Sequence, residues 1–405
     1  MIKDNVPIKK LKYCRRCCIP ETQEGVEFDE FGICRPCGSS EDKMRINWKE
    51  KEIELKKIFD EAKTNSGNNY DCILPISGGK DSFFQAHVLT KVYNLKPLAV
   101  TFSHNWYSEI GFYNLQRCLQ VFELDHLQFT PSRTLVNKLA RKSLGQIGDS
   151  CWHCHSGVGS FPLQVATNFK IPLLVFGESI RENHGSAAYS DDDSPKYDRD
   201  YFNKISAKKT AEEMVDESLS AKDMHAFRLP SQKDMEQNNV RGIHLGDYIF
   251  WDEEKQTEWI RDYYGWKETI VEGTYKGYKS AECIMAGMHD FTCYLKRGFG
   301  RATQQVILDV RKGLMTREEG FELIKKHDSV RPDALDYYLK ITSLSEKEFY
   351  EIMDNKKVNE LKGVELEVKE KEANNNNKNR MYPFVEQIID KHLNSKDPRI
   401  KKNRD

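Results

Sequence analysis

"YDCILPISGGKDSFFQAHVL", residues 70–89, runs from an apolar stretch into a stretch of helical character through Ser77-Gly78-Gly79-Lys80-Asp81-Ser82. Ile73, Leu74 and Ile76 read as a buried strand. The two glycines that follow allow backbone N–H groups to approach an anion without side-chain obstruction. The positive end of the next helix adds to that attraction. Ser77 and Ser82 can donate hydroxyls, Lys80 supplies charge, and Asp81 either holds Mg²⁺ or fixes the loop. A plain capped turn is the simpler alternative, but it leaves two glycines, two serines and a lysine in register unexplained. The Walker spacing G-x-x-x-x-G-K-[ST] is absent.

Around this loop, strand-like runs at 72–76, 97–102, 124–129 and 172–177 alternate with helix-like ones. That alternation predicts an α/β fold with a parallel sheet covered on both faces, and a ligand at the carboxyl ends of the strands. The chain divides into an N-terminal zinc-ribbon unit (1–45), the sheet core (46–185), an irregular insertion read as a substrate region (186–280), a helical C-terminal region (281–355) and a flexible linker and tail (356–405). Thr316 and Ser345, each with a Glu three residues later, fit capping boxes.

Composition narrows the function classes. With 62 Lys+Arg against 63 Asp+Glu in 405 residues, the chain has no global field for a polyanion. No apolar run approaches the roughly 20 residues needed to cross a bilayer. The opening "MIKDNVPIKKLKYCRRCC" lacks the apolar core of a secretory signal, so a cytoplasmic protein is expected.

Eleven cysteines then point to metals rather than disulfides. Cys14-x-x-Cys17 and Cys34-x-x-Cys37 have the paired-knuckle spacing that closes a tetrahedral Zn²⁺ site, with Cys18 as an extra thiol. "GDSCWHCHSGVGSF" carries a second pair, Cys151 and Cys154, beside His153 and His155. Three readings of it stand open: half of a second metal or iron–sulfur site completed by Cys283 or Cys293, a redox or sulfur-handling pair, or buried thiols shaping the ligand edge.

The stretch Ser77–Ser82 resembles the PP-loop, S-G-G-x-D-[ST], of the ATP pyrophosphatase superfamily. That resemblance implies ATP gripped by its pyrophosphate, attack by a substrate oxygen on the α-phosphorus, and adenosine contacts near Thr101, Phe102 and Ser103. Together with the zinc pairs, "GDSCWHCHSGV", "IPLLVFGES", "LGDYIFWD" and "YLKRGFGRATQQVILDVRKGLMTREEGFELIKKHD", the chain from about residue 10 to 355 is similar to the bacterial N-acetyl sugar amidotransferases. Those enzymes serve O-antigen sugar, pseudaminic acid and legionaminic acid synthesis. The resemblance implies conversion of a sugar acetamido group to acetamidino, with ammonia from a glutaminase/cyclase-like partner in trans. With Met1 at the start and no second large α/β unit recognisable in these residues, a partner in trans is the expectation.

Residue chemistry agrees in outline. Glu178, at the end of the run 172–177, points to the same edge and either orients substrate, accepts a proton, or is an ordinary turn carboxylate. Arg181, Asn183 and His184 follow it as weaker substrate candidates. Lys296, Arg297 and Arg301 face an anionic sugar or form a solvated helix start. Trp251, Trp259, Tyr263, Tyr264 and Trp266 suit core packing or sugar stacking. A PP-loop tRNA thiolation enzyme is the competing reading, opposed by the near-neutral charge.

Overall fold

The computed structural model describes residues 6–179, 181, 189, 202–370, 383 and 387, with the side chains of 204–206 excepted. Five strands, β1 (Cys72–Pro75), β2 (Pro97–Phe102), β3 (His126–Phe129), β4 (Leu173–Phe176) and β5 (Arg241–His244), form one sheet in the order β3-β2-β1-β4-β5. Every neighbouring pair is parallel, with Ile73 opposite Leu98 on one side and Leu174 on the other. The period of two divides the strand residues between two cores. Leu74, Ala99, Leu173 and Val175 face a cluster with Leu55, Phe59, Phe83, Leu115 and Ile260. Ile73, Leu98, Val100 and Leu174 face Leu163, Val165 and Ala166. Burial on both faces explains why these runs are continuously apolar rather than alternating.

The helices supplying those faces are α2 (Trp48–Ser66), α3 (Lys80–His87), α4 (Glu109–Val121) and α6 (Trp152–Phe169), preceded in the chain by α1 (Arg35–Lys43) and interleaved with α5 (Arg133–Ile147). The four strand runs seen in the sequence agree with β1 to β4 within a few residues.

The stretch read as irregular supplies a strand and two α-helices. Besides β5 and the short α7 (Gln232–Gln237), it forms α8 (Glu253–Tyr264), which lies against α3. β5 was missed because "RGIH" buries a single apolar side chain, Ile243, and so carries no periodic signal. Trp251 and Trp266, at 4% and 1% exposure, are core residues, whereas Tyr263 at 71% is on the surface.

Five further helices form the C-terminal region: α9 (Ala286–Arg297), α10 (Arg301–Arg311), α11 (Arg317–His327), α12 (Ala334–Thr342) and α13 (Glu346–Asn355). α11 and α13 begin with the expected reciprocal boxes, Thr316 with Glu319 and Ser345 with Glu348. The beginning of the stretch read as linker is packed. Leu361 is fully buried with Ile8 and Leu11, and Lys369 bridges to Val330. From 371 onward the expected tail lies outside the described residues, apart from Pro383 and Gln387. Among the described residues, no helix is long and apolar enough to cross a membrane.

Candidate active site

Strand order places β1 between β2 and β4, so the chain moves outward to one side and then to the other from β1. Crevices at such reversals, outside the carboxyl ends of the strands, are where open α/β sheets take ligands. The Ser77–Ser82 loop leaves β1 at this position and enters α3.

Its shape is fixed by contacts from several elements. Gly78 has φ +87°, and a Cβ there would come within 2.8 Å of the Gly111 carbonyl and the Leu115 nitrogen of α4. The Trp266 indole donates to the Gly78 carbonyl at 3.1 Å. Ser82 Oγ accepts from the Ser77 N–H at 3.3 Å and donates to the Gly79 carbonyl at 3.0 Å. Ser77 Oγ accepts from the Gly79 N–H. Thr101 Oγ1 donates to the Ile76 carbonyl at 2.8 Å, tying the end of β2 to the base of the loop.

Lys80 lies in the protein interior. Its ammonium is 2.6 Å from Asp81 and 3.2 Å from Glu253, the first residue of α8. Burial opposes that charge, but Asp81, Glu253 and Glu178 overcome it and raise the Lys80 pKa. Lys279 also pairs with Glu253. Burial would push the Glu253 carboxyl up, yet Lys279 and Lys80 hold it well below the ordinary range. Glu178 is exposed to water yet closely surrounded by protein. Loss of surrounding water raises its pKa, and Asp81 raises it further. Glu282 is raised in the same way by burial and then by Asp81. A Cβ on Gly79 would sit 3.3 Å from the Glu282 carboxylate, which shows how closely it approaches the loop. Four carboxylates, Asp81, Glu178, Glu253 and Glu282, therefore surround two ammonium groups, Lys80 and Lys279.

Other candidates from the sequence fall into distinct environments. The Phe102 ring is core, stacked on Phe129 and packed against Phe227. Ser103 continues β2 through a hydrogen bond to Phe129 and is buried. The Arg181 carbonyl accepts from Ser39, and its guanidinium lies over Tyr189. Asn183 and His184 lie outside the described residues. Lys296 donates to the Ile147 carbonyl, Arg297 to Glu24, and Arg301 to Asp290. These three bind neighbouring elements together instead of forming an exposed helix start.

The four knuckle cysteines form a separate centre. Sγ separations are 3.9 Å for Cys14–Cys37, 3.7 Å for Cys17–Cys34 and 3.4 Å for Cys34–Cys37. A tetrahedral ion with Zn–S bonds of about 2.3 Å requires about 3.8 Å. All four are at most 1% exposed, and the group can hold a metal such as zinc. N–H groups of Arg16, Cys17 and Cys34 point at Cys14 Sγ, and the Arg311 guanidinium of α10 donates to Cys17 and Cys34. Cys18 does not join them: it is buried beside Val306 and Phe321 and donates to the Arg317 carbonyl. Cys151 and Cys154 stand at the start of α6, their thiols raised by burial, and neither belongs to a close set of metal-ligating atoms among the described residues. Nearby, the buried Tyr107 hydroxyl has no hydrogen-bond partner among the described residues.

Residues 272–373 match the family model described as LPS biosynthesis protein WbpG-like, C-terminal domain. This supports a WbpG-like assignment for that stretch. It includes Glu282 and Lys279, which wall the loop from the C-terminal side, and the sequence 294–328 that carried the resemblance. No curated protein matches the chain. Sequence reasoning missed Glu253, Lys279 and Glu282, because each belongs to no local motif and reaches the loop only through tertiary packing.

Proposed function

We propose that this chain is an ATP-dependent amidotransferase of the PP-loop type, acting on an N-acetyl sugar in lipopolysaccharide or nonulosonic acid synthesis. The observation that carries the reading is the Ser77–Ser82 loop at the reversal of strand order, ringed by Asp81, Glu178, Glu253 and Glu282. A metal-bound polyphosphate suits that site: loop amides and the α3 terminus receive phosphate oxygens, and Asp81 is the first candidate to hold Mg²⁺. When bound, Mg²⁺ neutralises charge on the departing pyrophosphate.

An amide carbonyl is a poor electrophile. Its oxygen attacks the α-phosphorus, and the α–β phosphoanhydride bond breaks to release pyrophosphate. Ammonia then adds to the activated carbon, loses a proton, and the carbon–oxygen bond breaks to release AMP. Glu178, whose pKa is raised by burial and by Asp81, stands beside the loop as the candidate to accept that proton. Lys80 holds Asp81 in position and places its charge beside the phosphate-binding loop. Ammonia comes from a glutaminase-type partner. Purified protein with ATP, ammonium and candidate N-acetyl sugars should yield a product in which NH has replaced O, as read by mass spectrometry. Glutamine alone should not support it, and no product from any nucleotide-linked or nonulosonic N-acetyl sugar would refute the assignment.

A further inference from the structure

The side chains of Asp149, His155 and His289 meet where the α5–α6 connection and the first turn of α6 approach α9, with one potential ligand atom from each lying within 4.8 Å of the others. We infer that they form a second metal centre, for a divalent transition metal of the zinc class, independent of both the cysteine site and the nucleotide chemistry.

Ligand identity, spacing, support and exposure carry this reading. Two imidazoles and one carboxylate suit zinc-class ions and are unsuited to Mg²⁺ or Ca²⁺, which prefer oxygen. Asp149 Oδ2 and His155 Nδ1 are 3.1 Å apart. Two atoms bound to one such ion at about 2.0–2.2 Å are separated by about 3 Å. The His155 and His289 rings stand at 90° with centroids 5.0 Å apart, so both can edge toward a common point.

His289 has the support typical of a metal-ligating histidine. Its Nδ1 is 3.1 Å from Asp290 Oδ1, and Asp290 is itself held by Arg301 at 2.9 Å. A carboxylate bonded to one ring nitrogen fixes the tautomer and leaves Nε2 for a metal. The Asp149 backbone and carboxylate are also anchored: Ser143 donates to its carbonyl, and the Cys151 N–H donates to Oδ1 at 2.6 Å.

Exposure separates this centre from the other. The cysteine set is sealed, whereas the side chains of Asp149, His155 and His289 are 13%, 31% and 28% exposed. Three protein ligands with access to solvent leave a coordination position for water or a substrate oxygen. Arg301 is then a positioning residue acting through Asp290.

The test is metal content of the full chain after equilibration with Zn²⁺ and removal of loosely bound ion. Wild type should hold two per chain. His155→Ala with His289→Ala should hold one and keep its far-UV spectrum. Cobalt loading distinguishes the centres: the double histidine variant should keep the cobalt–thiolate charge-transfer band and lose the weaker bands of the nitrogen–oxygen site. Should that variant fail to fold, Asp290→Asn should weaken the second Zn²⁺ by 10- to 100-fold. One zinc per wild-type chain, affinity unchanged in Asp290→Asn, or a second ion lost from Cys151→Ser/Cys154→Ser but retained in the histidine variant, would each overturn the assignment.

Discussion

The Lys80 ammonium lies 3.2 Å from the Glu253 carboxylate, joining the loop after β1 to the helix that follows β5. Glu253 also binds Lys279, so one nearly buried carboxylate bridges two ammonium groups from separate parts of the chain. Without Glu253, Lys80 keeps Asp81, but the largely buried Lys279 ammonium loses its carboxylate partner, and an unpaired buried charge is costly. Glu253→Ala should therefore cost on the order of 3 kcal/mol in urea unfolding, with Glu253→Gln in between. An unchanged urea midpoint for Glu253→Ala would show that solvent already screens these lysines.

The loop itself tolerates little change. Asp81→Ala should reduce turnover by at least about a hundredfold with a normal circular-dichroism spectrum, since transition-state positioning is worth at least that. Gly78→Ala should harm folding and activity together, because its Cβ would strike α4 backbone atoms at 2.8 Å and φ is +87°. Near-normal turnover of folded Asp81→Ala removes that residue from the chemistry.

The sealed cysteine site makes a different prediction, because metal binding there contributes to folding. Cys14→Ser with Cys34→Ser should lose one zinc per chain and lower the melting temperature. Cys18→Ser should keep the metal, since Cys18 lies with Val306 and Phe321. Retained zinc in the double variant would refute a four-thiolate centre.

These outcomes also show where sequence carries information. The zinc pairs were legible because spacing alone constrains a knuckle, and β1 to β4 because burial on both faces leaves unbroken apolar runs. β5 was not, having one inward apolar residue. The basic residues of "YLKRGFGRAT" read equally as a ligand surface or a solvated helix start, and in the structure Lys296 and Arg297 reach the Ile147 carbonyl and Glu24, and Arg301 reaches Asp290. No sequence pattern specifies which distant backbone or carboxylate a long cationic side chain will meet.

Acid should weaken the fold through His104. Burial holds its pKa down at about 4, and the Trp106 N–H donates to its Nδ1, a bond that requires the unprotonated nitrogen. The unfolded value is about 6.5, so below it the unfolded chain binds the extra proton. This contribution is fully present above about pH 6.5 and is lost as pH falls toward 4, on the order of 3 kcal/mol in all. His104→Asn, which can still accept from Trp106, should flatten the stability profile across that window. An equally steep profile in the variant would place the acid sensitivity elsewhere.

The bond cleaved in ATP can be followed by isotope. If the loop retains the β and γ phosphates as a leaving pyrophosphate, the acetamido oxygen becomes bonded to the α-phosphorus. It leaves in AMP once ammonia occupies the carbon. A kinase-like reaction would instead activate the same oxygen with the γ-phosphoryl group and deliver it to inorganic phosphate alongside ADP. Both routes give the same sugar, so product mass alone does not separate them. With ¹⁸O in the acetamido carbonyl, the label should appear in AMP and be absent from free phosphate. Label in phosphate, with ADP formed in step with product, would mean that the Ser77–Ser82 loop does not govern a pyrophosphate departure.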